Sequence, residues 1–329
     1  MITIKEIASL ANVSGATVSR VLNSSGYVSE DVRSRVLKII EEHHYIPSEH
    51  AKSLRTKQTK VIGVIIPKLS TESASRVVDG INEELAAHGY QIILAASNLD
   101  PQKEIEFLKL LRSRQVEGII LNATNVDPSL VKEIKRINIP FVAVGQKFAD
   151  ESYIVYDNYN AAKELTLYLI KQGHENVAFI GVNEKDEAVG SLRKQGYKDA
   201  MKENKLHVET GLMKEALFGI QPGFNAMQSI MENAVTKPTA LLAVTDRLAV
   251  GAMRYLKKAG YSIPTDVAVA GIGASEISEN VDPALTTIDF KNEEAGRQAA
   301  KLILNKIRTK DNTTKKIVLG YRLLIRDSV

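Results

Sequence analysis

The run Leu10-Ala-Asn-Val-Ser-Gly-Ala-Thr-Val-Ser-Arg-Val-Leu-Asn23 decides how the first part of this chain folds. Asn12-Val13 interrupts a helical pattern, and Ser14 is a good N-cap for the helix that follows, because its side-chain oxygen can accept a hydrogen bond from a free backbone N–H group of the first turn. That helix would bury one apolar face and turn the other outward. We predict a buried face of Val18, Val21 and Leu22, and an outward face of Gly15, Ala16, Thr17, Ser19 and Arg20.

Two further helices flank this one. Residues 4–11 have apolar side chains at helical spacing, and Thr3 with Glu6 forms a capping box at their start. A third amphipathic pattern begins at Ser29 and carries Val32, Val36, Leu37, Ile39 and Ile40. A three-helix unit with a helix-turn-helix at its centre is typical of a DNA-binding module, and an ordinary three-helix subdomain is the alternative.

The composition indicates a globular chain of two or three domains, since 44% of its 329 residues are hydrophobic and 25% are charged. We find neither a run of eighteen apolar residues nor a basic and apolar leader, and therefore expect a cytoplasmic protein without a membrane partner. The absence of cysteine excludes thiol catalysis, disulfides and thiolate metal sites. The net charge is +4, and Lys and Arg outnumber Asp and Glu within residues 1–60, which favours phosphate binding there.

From residue 60 onward, short apolar runs alternate with helical patterns, which predicts parallel sheets covered by helices on both faces. In the first half we predict strands at 61–66, 91–96, 118–121 and 140–144, and helices at about 71–88, 101–114 and 128–137. From about residue 153 the pattern begins again, with helices near 158–172, 188–203, 222–234, 247–259 and 294–307. The strands of this half are predicted at 177–180, 212–218, 241–244, 267–270 and 285–288, followed by 316–319 and 322–325.

Several motifs make the whole chain similar to the LacI/GalR family of bacterial repressors. They are Thr3-Ile-Lys-Glu-Ile-Ala8, Thr17-Val-Ser-Arg-Val-Leu-Asn23, His44-Tyr-Ile-Pro47 and Ala51-Lys-Ser-Leu-Arg55. Within that family the chain most resembles the trehalose and sucrose repressors, through Pro67-Lys68, Gly190-Ser-Leu-Arg193 and Gly271-Ile-Gly-Ala-Ser-Glu276. The last of these runs lacks the acidic residue with which many relatives hold their ligand.

The resemblance implies a small all-α helix-turn-helix domain at residues 1–46, a hinge helix or linker at 47–59, and a two-lobed α/β core at 60–329. That core would be like a periplasmic binding protein, with two doubly wound parallel sheets and a ligand cleft between the lobes. Its N-lobe would comprise about 60–157 and 289–320, and its C-lobe about 158–288 and 321–329. Tetrameric relatives carry a further leucine-rich helix after the last strand, so we expect a homodimer here.

The resemblance also implies contacts with double-stranded operator DNA. The predicted hinge helix is too short to be stable alone, and the family folds it on the operator and places its leucine in the minor groove, which here is Leu54. The candidate DNA-binding residues are Thr3, Ser14, Gly15, Ala16, Thr17, Ser19, Arg20, Asn23, Ala51 and Leu54.

Ligands of two-lobed proteins bind at the carboxyl ends of the strands, where five candidate effector-binding residues fall. Arg193 matches a family arginine whose planar fork can take two hydroxyls or a carboxylate. Asp246 could accept sugar hydroxyls or cap a helix, and Phe218 could stack on a ligand ring or belong to the core. Gln146 stands where relatives often have Asp. Lys68 precedes a helix N-terminus and could complete a phosphate site, or be only a surface charge.

The resemblance implies a sequence-specific transcriptional repressor of a sugar-utilisation operon, controlled by a sugar or sugar-phosphate effector. The six histidines show no metal-ligand spacing, and neither Gly-x-Ser-x-Gly nor a complete dinucleotide fingerprint is present. We therefore expect no catalytic residue, no metal and no cofactor, and not an enzyme. A cytoplasmic sugar-binding protein without a DNA role is the alternative, because the same fold serves transport, and heparin retention with and without residues 1–58 would separate the two.

Overall fold

The computed structural model describes residues 2–45, 58–310 and 313–329. The chain divides into two compact units, with the boundary between Thr59 and Lys60. None of the helices in the described ranges combines the length and apolar character that crossing a membrane requires.

The first unit contains three helices, α1 (Ile4–Leu10), α2 (Gly15–Leu22) and α3 (Glu30–Glu42). The predicted capping box is present at Thr3: its backbone N–H donates to Oε2 of Glu6 at 2.7 Å, and the Glu6 N–H donates to Oγ1 of Thr3 at 3.3 Å. Ser14 caps α2 as predicted, accepting from the N–H of Thr17 at 3.1 Å. The core of this unit consists of Ile7, Ala8, Ala11, Val18, Val21 and Val36.

Two details of this unit differ from the sequence prediction. Leu37 is 47% exposed, because it is rotated by about 100° around α3 from its neighbour Val36, which fills the small core. Leu22 is only half-buried. A unit of this size has one small apolar centre, so only part of each amphipathic face reaches it.

The first sheet of the second unit has the strand order β11-β5-β4-β3-β1-β2, and its paired strands are parallel. Helices α4 (Glu72–Ala86) and α12 (Asn292–Thr309) cover one face, and α5 (Pro101–Ser113) and α6 (Pro128–Ile137) cover the other. The strands are β1 (Val61–Ile66), β2 (Gln91–Ala96), β3 (Gly118–Asn122), β4 (Phe141–Val144), β5 (Ser152–Tyr156) and β11 (Lys316–Leu319).

Close packing of α4 against α12 depends on two glycines. A Cβ atom on Gly80 would lie 1.9 Å from the carbonyl oxygen of Glu293, and one on Gly296 would lie 2.0 Å from that of Val77. Each helix therefore presents a glycine to the backbone of the other, and any larger residue would force them apart.

The second sheet has the order β12-β10-β9-β8-β6-β7, and its paired strands are parallel except β10 with β12, which are antiparallel. Its strands are β6 (Val177–Gly181), β7 (Met213–Glu215), β8 (Ala240–Ala243), β9 (Ala268–Ile272), β10 (Thr286–Asp289) and β12 (Arg322–Leu324). Its helices are α7 (Asn158–Lys171), α8 (Arg193–Glu203), α9 (Ile220–Asn233), α10 (Asp246–Lys258) and α11 (Glu276–Asn280), with a π-helix at Glu187–Leu192 and a 3-10 helix at Thr210–Leu212.

The chain therefore passes between the sheets three times, after β5, after β10 and after β11. We call the body around the first sheet the N-lobe and the body around the second sheet the C-lobe. The predicted fold class, helix-turn-helix helices plus a two-lobed α/β core with two mainly parallel sheets, is confirmed.

Three sequence predictions for the core need correction. Strand β2 is not covered on both faces, since Ile93 and Leu94 are each 38% exposed at the edge of the sheet. The helix predicted at 188–203 starts as a π-helix, and the strand predicted near 212–218 spans only Met213–Glu215. Helix α11 was not predicted, because five residues are too few to show a periodicity.

The carboxylic acid of Glu104 lies inside the N-lobe. Glu104 in α5 is 1% exposed, and its Oε2 accepts a hydrogen bond from Nδ2 of Asn125 at 3.1 Å. Burial raises the pKa of Glu104 from its ordinary 4.5 to about 7, although the hydrogen bond from Asn125 and the nearby hydroxyl of Ser97 oppose the shift. As pH rises from 4.5 to about 7, the unfolded chain loses this proton before the folded chain does, so this group lowers the stability of the folded protein over that range.

We predict that Glu104→Gln raises the free energy of unfolding at pH 8 by about 1–3 kcal/mol and changes it little at pH 4, because the amide keeps the shape and removes the buried charge. Urea denaturation at both pH values measures this. Glu106→Gln, at an exposed position of the same helix, is the control and should have no such pH-dependent effect. A Glu104→Gln variant less stable than the wild type at pH 8 would contradict the prediction.

Candidate functional site

A cavity lies between the N-lobe and the C-lobe, at the carboxyl ends of the strands of both sheets. Its lining contains residues that follow β1, β4, β5, β8, β9 and β10. All five residues predicted to bind an effector line this one cavity: Lys68, Gln146, Arg193, Phe218 and Asp246.

Arg193 is a buried cation rather than a surface residue of a helix, with an exposure of 6%. Its Nε donates to Oδ1 of Asn158 at 2.7 Å, and its Nη1 donates to the carbonyl oxygen of Val244. Its guanidinium lies 5.1 Å from the ring centre of Phe290. No hydrogen bond within the described part of the chain uses Nη2, so this nitrogen is free to bind a ligand.

The charge of Arg193 is retained at neutral pH. Burial lowers the pKa of its guanidinium to about 10, and the nearby carboxylates of Asp186 and Asp246 oppose the shift. The π-helix before α8 sets the position of Arg193 as the first residue of that helix, and the side chain of Asp186 caps the π-helix by accepting from the N–H of Val189 at 3.0 Å. π-helices occur often at functional sites.

Asp246 is held by the protein itself. Its Oδ2 accepts from the N–H and the Oγ of Ser275 at 2.8 and 2.7 Å, and its Oδ1 accepts from Oγ1 of Thr287 at 2.5 Å. Burial raises the pKa of this carboxyl, and the bonds from Ser275 and Thr287 lower it. Thr245, not Asp246, caps α10. Asp246 therefore supports the loop after β9, and it retains unused acceptor capacity on Oδ1 for a ligand.

The glycines of Gly271-Ile-Gly273 explain how that loop approaches Asp246. A Cβ atom on Gly271 would lie 2.7 Å from Oδ1 of Asp246, and one on Gly273 would lie 3.1 Å from Oδ2, where φ is also +150°. The run Gly271–Glu276, which lacks the acidic residue that the resemblance led us to look for, thus packs against the carboxylate of Asp246 from α10.

Gln146 connects the two lobes. Its Nε2 donates to Oδ1 of Asp186 at 2.7 Å, and Gln146 is 3% exposed. Among the described residues, three more residue pairs are hydrogen-bonded across the lobes. The N–H of Glu276 donates to the carboxylate of Glu72 at 2.9 Å, Arg247 donates to the carbonyl of Ser70 at 3.2 Å, and Arg76 donates to the carbonyl of Ala274 at 3.2 Å. The structure therefore has its lobes closed on one another.

Lys68 and Phe218 line the cavity from opposite lobes. Lys68 follows β1, is half-buried, and forms no ion pair with any described residue. Thr71, at the start of α4, donates through Oγ1 to the Lys68 carbonyl at 3.0 Å and does not cap its own helix. Phe218 follows β7, is half-buried, and packs against the C-lobe core, so it belongs to the cavity and to the core at once.

The cavity also contains residues that the sequence reasoning missed. Tyr156 is the last residue of β5 and Asn158 follows that strand, Asp186 precedes the π-helix, and Phe290 and Asn292 follow β10. The rule that ligands bind at the carboxyl ends of strands would have found four of these five. Asp186 follows no strand directly. It caps the π-helix, and the spacing of apolar residues in the sequence did not indicate that helix.

The predicted DNA-binding residues of the first unit lie around α2. Ser14, Ala16 and Arg20 are exposed, while Gly15, Thr17 and Ser19 are half-buried. Arg20 forms no hydrogen bond or ion pair with any described residue, so its guanidinium is free. Thr3 and Asn23 are exposed at helix ends, where Thr3 caps α1 and Asn23 donates through Nδ2 to the Ser19 carbonyl at 2.6 Å. Ala51 and Leu54 lie outside the described residues.

Within residues 2–45, 58–310 and 313–329, no group of three His, Asp or Glu side chains is arranged so that it could hold a metal ion.

Each of the two units matches the model of a known protein family. Residues 59–326 match the model for periplasmic binding proteins and the sugar-binding domain of the LacI family, and residues 3–48 match the model for bacterial regulatory proteins of the lacI family. The NTD biosynthesis operon regulator NtdR of Bacillus subtilis (strain 168) is 33% identical over 337 residues, covering 100% of both chains.

Two solved structures are also similar. A complex of the transcriptional regulator CelR with cellobiose is 26% identical, covers 100% of both chains and has a TM-score of 0.77. The lac repressor dimer bound to operator and the anti-inducer ONPF is 23% identical, covers 99% of this chain and 98% of that one, and has a TM-score of 0.89. At that identity the second likeness shows the fold alone.

We predict that Gln146→Ala shifts the protein toward open lobes. The variant loses a buried hydrogen bond to a carboxylate, which contributes about 1–3 kcal/mol to closure. Because the chain lacks cysteine, spin labels at Lys103→Cys in the N-lobe and Lys202→Cys in the C-lobe can report the distance between lobes. The closed-lobe distance should be less populated in Gln146→Ala than in the control Gln172→Ala, whose exposed side chain lies directly after α7. Identical distance distributions in the two variants would rule out this role.

Proposed function

This chain belongs to the LacI family of DNA-binding transcriptional repressors with a sugar-binding domain, and we propose that it represses a sugar-utilisation operon under the control of a sugar. The observation that carries the proposal is the cavity between closed lobes, in which a buried arginine and four other polar or aromatic side chains face a common space. Because residues 3–48 match the regulatory family, the alternative of a sugar-binding protein without a DNA role is not favoured.

A homodimer is part of this proposal. The edge strand β2 exposes Ile93 and Leu94, and an edge with apolar side chains is a surface that another protein chain can cover. One recognition helix contacts only a few base pairs, so two-fold symmetry would double the readout and require a near-palindromic operator.

Within each subunit, α2 is proposed to lie in the major groove. Of its outward residues Gly15, Ala16 and Arg20, Arg20 can make a bidentate contact to guanine, whereas the other two offer close approach and methyl contact. The free guanidinium of Arg20 supports this role. Phosphate contacts from Thr3, Ser14, Thr17, Ser19 and Asn23 would fix the position of the helix on the duplex.

We predict that Arg20→Ala reduces discrimination between operator variants by about 1–3 kcal/mol, because bidentate readout of one base pair is lost. Fluorescence anisotropy at one salt concentration would compare the DNA that the wild type selects from a random library with its single-base variants. Arg35→Ala, which removes the same charge from α3, should weaken binding to all of these sequences alike. Unchanged base preference in Arg20→Ala would refute the assignment.

The link between effector and operator is proposed to be the hinge segment. Ala51 and Leu54 fall in residues 47–59, whose sequence is helix-capable yet too short to be stable without a partner. Paired hinge helices from two subunits would place Leu54 as a wedge in the minor groove. A change in the orientation of the lobes would separate the pair and lower operator affinity.

The effector is proposed to be a disaccharide of the trehalose or sucrose type, or its phosphate. A regulator of similar sequence binds the disaccharide cellobiose, which supports this class. We assign the choice between sugar and phosphate to Lys68, which lies in the cavity and has no ion-pair partner among the described residues. It is beside the N-terminus of α4, where free N–H groups and the helix dipole favour an anion. Glu72, in the first turn of that helix, already engages α11 through the N–H of Glu276 and adds a negative charge that opposes a phosphate.

We predict that Lys68→Ala weakens the binding of a sugar 6-phosphate by about 10–100-fold and that of the neutral sugar by less than about twofold, because only the phosphate uses the cation. Calorimetry with trehalose, sucrose and their 6-phosphates would measure this. The control is Lys109→Ala, an exposed lysine of α5. A phosphate site is excluded if the mutation weakens a sugar and its phosphate equally, or if the wild type prefers the neutral sugar.

A further inference from the structure

Tyr156 is the last residue of β5, and it lines the cavity from the N-lobe side. Its ring centre lies 5.1 Å from that of Phe290, which follows β10. Its backbone carbonyl accepts a hydrogen bond from Nδ2 of Asn158 at 3.3 Å. Oδ1 of the same Asn158 accepts a hydrogen bond from Nε of Arg193. The ring is therefore held at a fixed place in a wall built from Tyr156, Asn158, Phe290 and Arg193.

The hydroxyl of Tyr156 is buried and has no hydrogen-bond partner among the described residues. Buried tyrosine hydroxyls usually have one. The buried Tyr90 and Tyr197 follow that rule, since their hydroxyls donate to Glu117 and to the Val177 carbonyl at 2.9 and 2.7 Å. The half-buried Tyr159 and Tyr321 also have partners, since their hydroxyls donate to Asp199 and Glu164 at 2.9 and 2.6 Å. Tyr156 differs from them in lining the cavity between the lobes.

Two other polar groups of the cavity are also unused. Nη2 of Arg193 and the side-chain amide of Asn292 make no hydrogen bond with any described residue, and both residues are buried. A phenol, a guanidinium nitrogen and an amide together offer donors and acceptors without a surplus of negative charge. This combination suits the hydroxyl groups of a sugar, each of which can donate and accept at once.

We infer that the Tyr156 hydroxyl binds the effector directly, by a hydrogen bond to one hydroxyl of the sugar, and that it thereby selects for sugars that carry that hydroxyl. The inference rests on the proposed sugar effector and adds a residue that determines its specificity. A site that hydrogen-bonds one hydroxyl rejects the analogue without it, because the buried phenol then stays unpaired.

Tyr156→Phe tests the inference, because it removes one oxygen and keeps the ring. In the absence of ligand, the thermal midpoint of the variant should equal or exceed that of the wild type, since an unpaired buried hydroxyl is lost. Tyr321→Phe is the matched control: it removes a hydroxyl that has a protein partner, Glu164, in the same row of aromatic rings, so its midpoint should fall. A lower midpoint for Tyr156→Phe would overturn the inference.

Ligand binding supplies the second measurement, with trehalose, sucrose and their 6-phosphates as probes. For the probe that the wild type binds, Tyr156→Phe should lose about tenfold in affinity, while Tyr321→Phe stays within about twofold. One mono-deoxy derivative of that probe should bind the wild type about tenfold more weakly than the parent sugar and bind Tyr156→Phe as well as the parent does. An affinity of Tyr156→Phe within about twofold of the wild type, or equal losses with every deoxy derivative in both proteins, would overturn the inference.

The two proposals can fail separately. If none of the four probes binds the wild type, the proposed effector class is wrong, and the ligand-free midpoint alone decides the role of Tyr156. A lower midpoint then shows that the hydroxyl is satisfied within the protein and overturns the inference, and an equal or higher midpoint supports it.

Discussion

The buried guanidinium of Arg193 is the interaction on which the arrangement of the cleft depends. A cation that is only 6% exposed is costly unless protein groups replace its water. Here the replacement comes from α7 through Asn158, from the residue after β8 through the Val244 carbonyl, and from the crossing segment after β10 through the Phe290 ring. Since these three elements meet at one side chain, Arg193 fixes the geometry of the cavity wall and still has a nitrogen available for ligand.

Closure of the cavity depends on weaker contacts. The hydrogen bonds between Gln146 and Asp186, between Glu72 and the start of α11, and from Arg247 and Arg76 to opposite carbonyls all join groups that water could satisfy in an open form. Each such bond adds only about 1 kcal/mol or somewhat more, so open and closed lobes differ by a small free energy that a ligand can shift. Two separately packed sheets joined at three crossings are an arrangement in which one lobe can rotate relative to the other, as the proposed allosteric control requires.

The sequence was sufficient for most of the architecture, because caps and apolar runs are local signals. The capping box at Thr3, the cap at Ser14 and the buried strands of both sheets followed from such patterns. The exposure of Ile93 and Leu94 could not be predicted, because burial of a strand depends on its place in the sheet and not on its own residues. For the cleft, the carboxyl-end rule gathered Lys68, Gln146 and Asp246. It did not reveal that Gln146 binds Asp186 across the lobes or that the Tyr156 hydroxyl has no partner among the described residues, since both depend on side-chain placement in three dimensions.

We propose that effector and operator bind the same protein and that a coupling free energy links the two sites. Linkage requires that the operator change effector affinity by the same factor by which the effector changes operator affinity. Calorimetry can measure the affinity of the sugar that binds best among trehalose, sucrose and their 6-phosphates, with and without the DNA that the protein selects from a random library. For a repressor released by its effector, the sugar should bind about 5–150-fold more weakly in the presence of that DNA. Equal affinity with and without the DNA would contradict the coupling, and tighter binding would make the sugar a co-repressor.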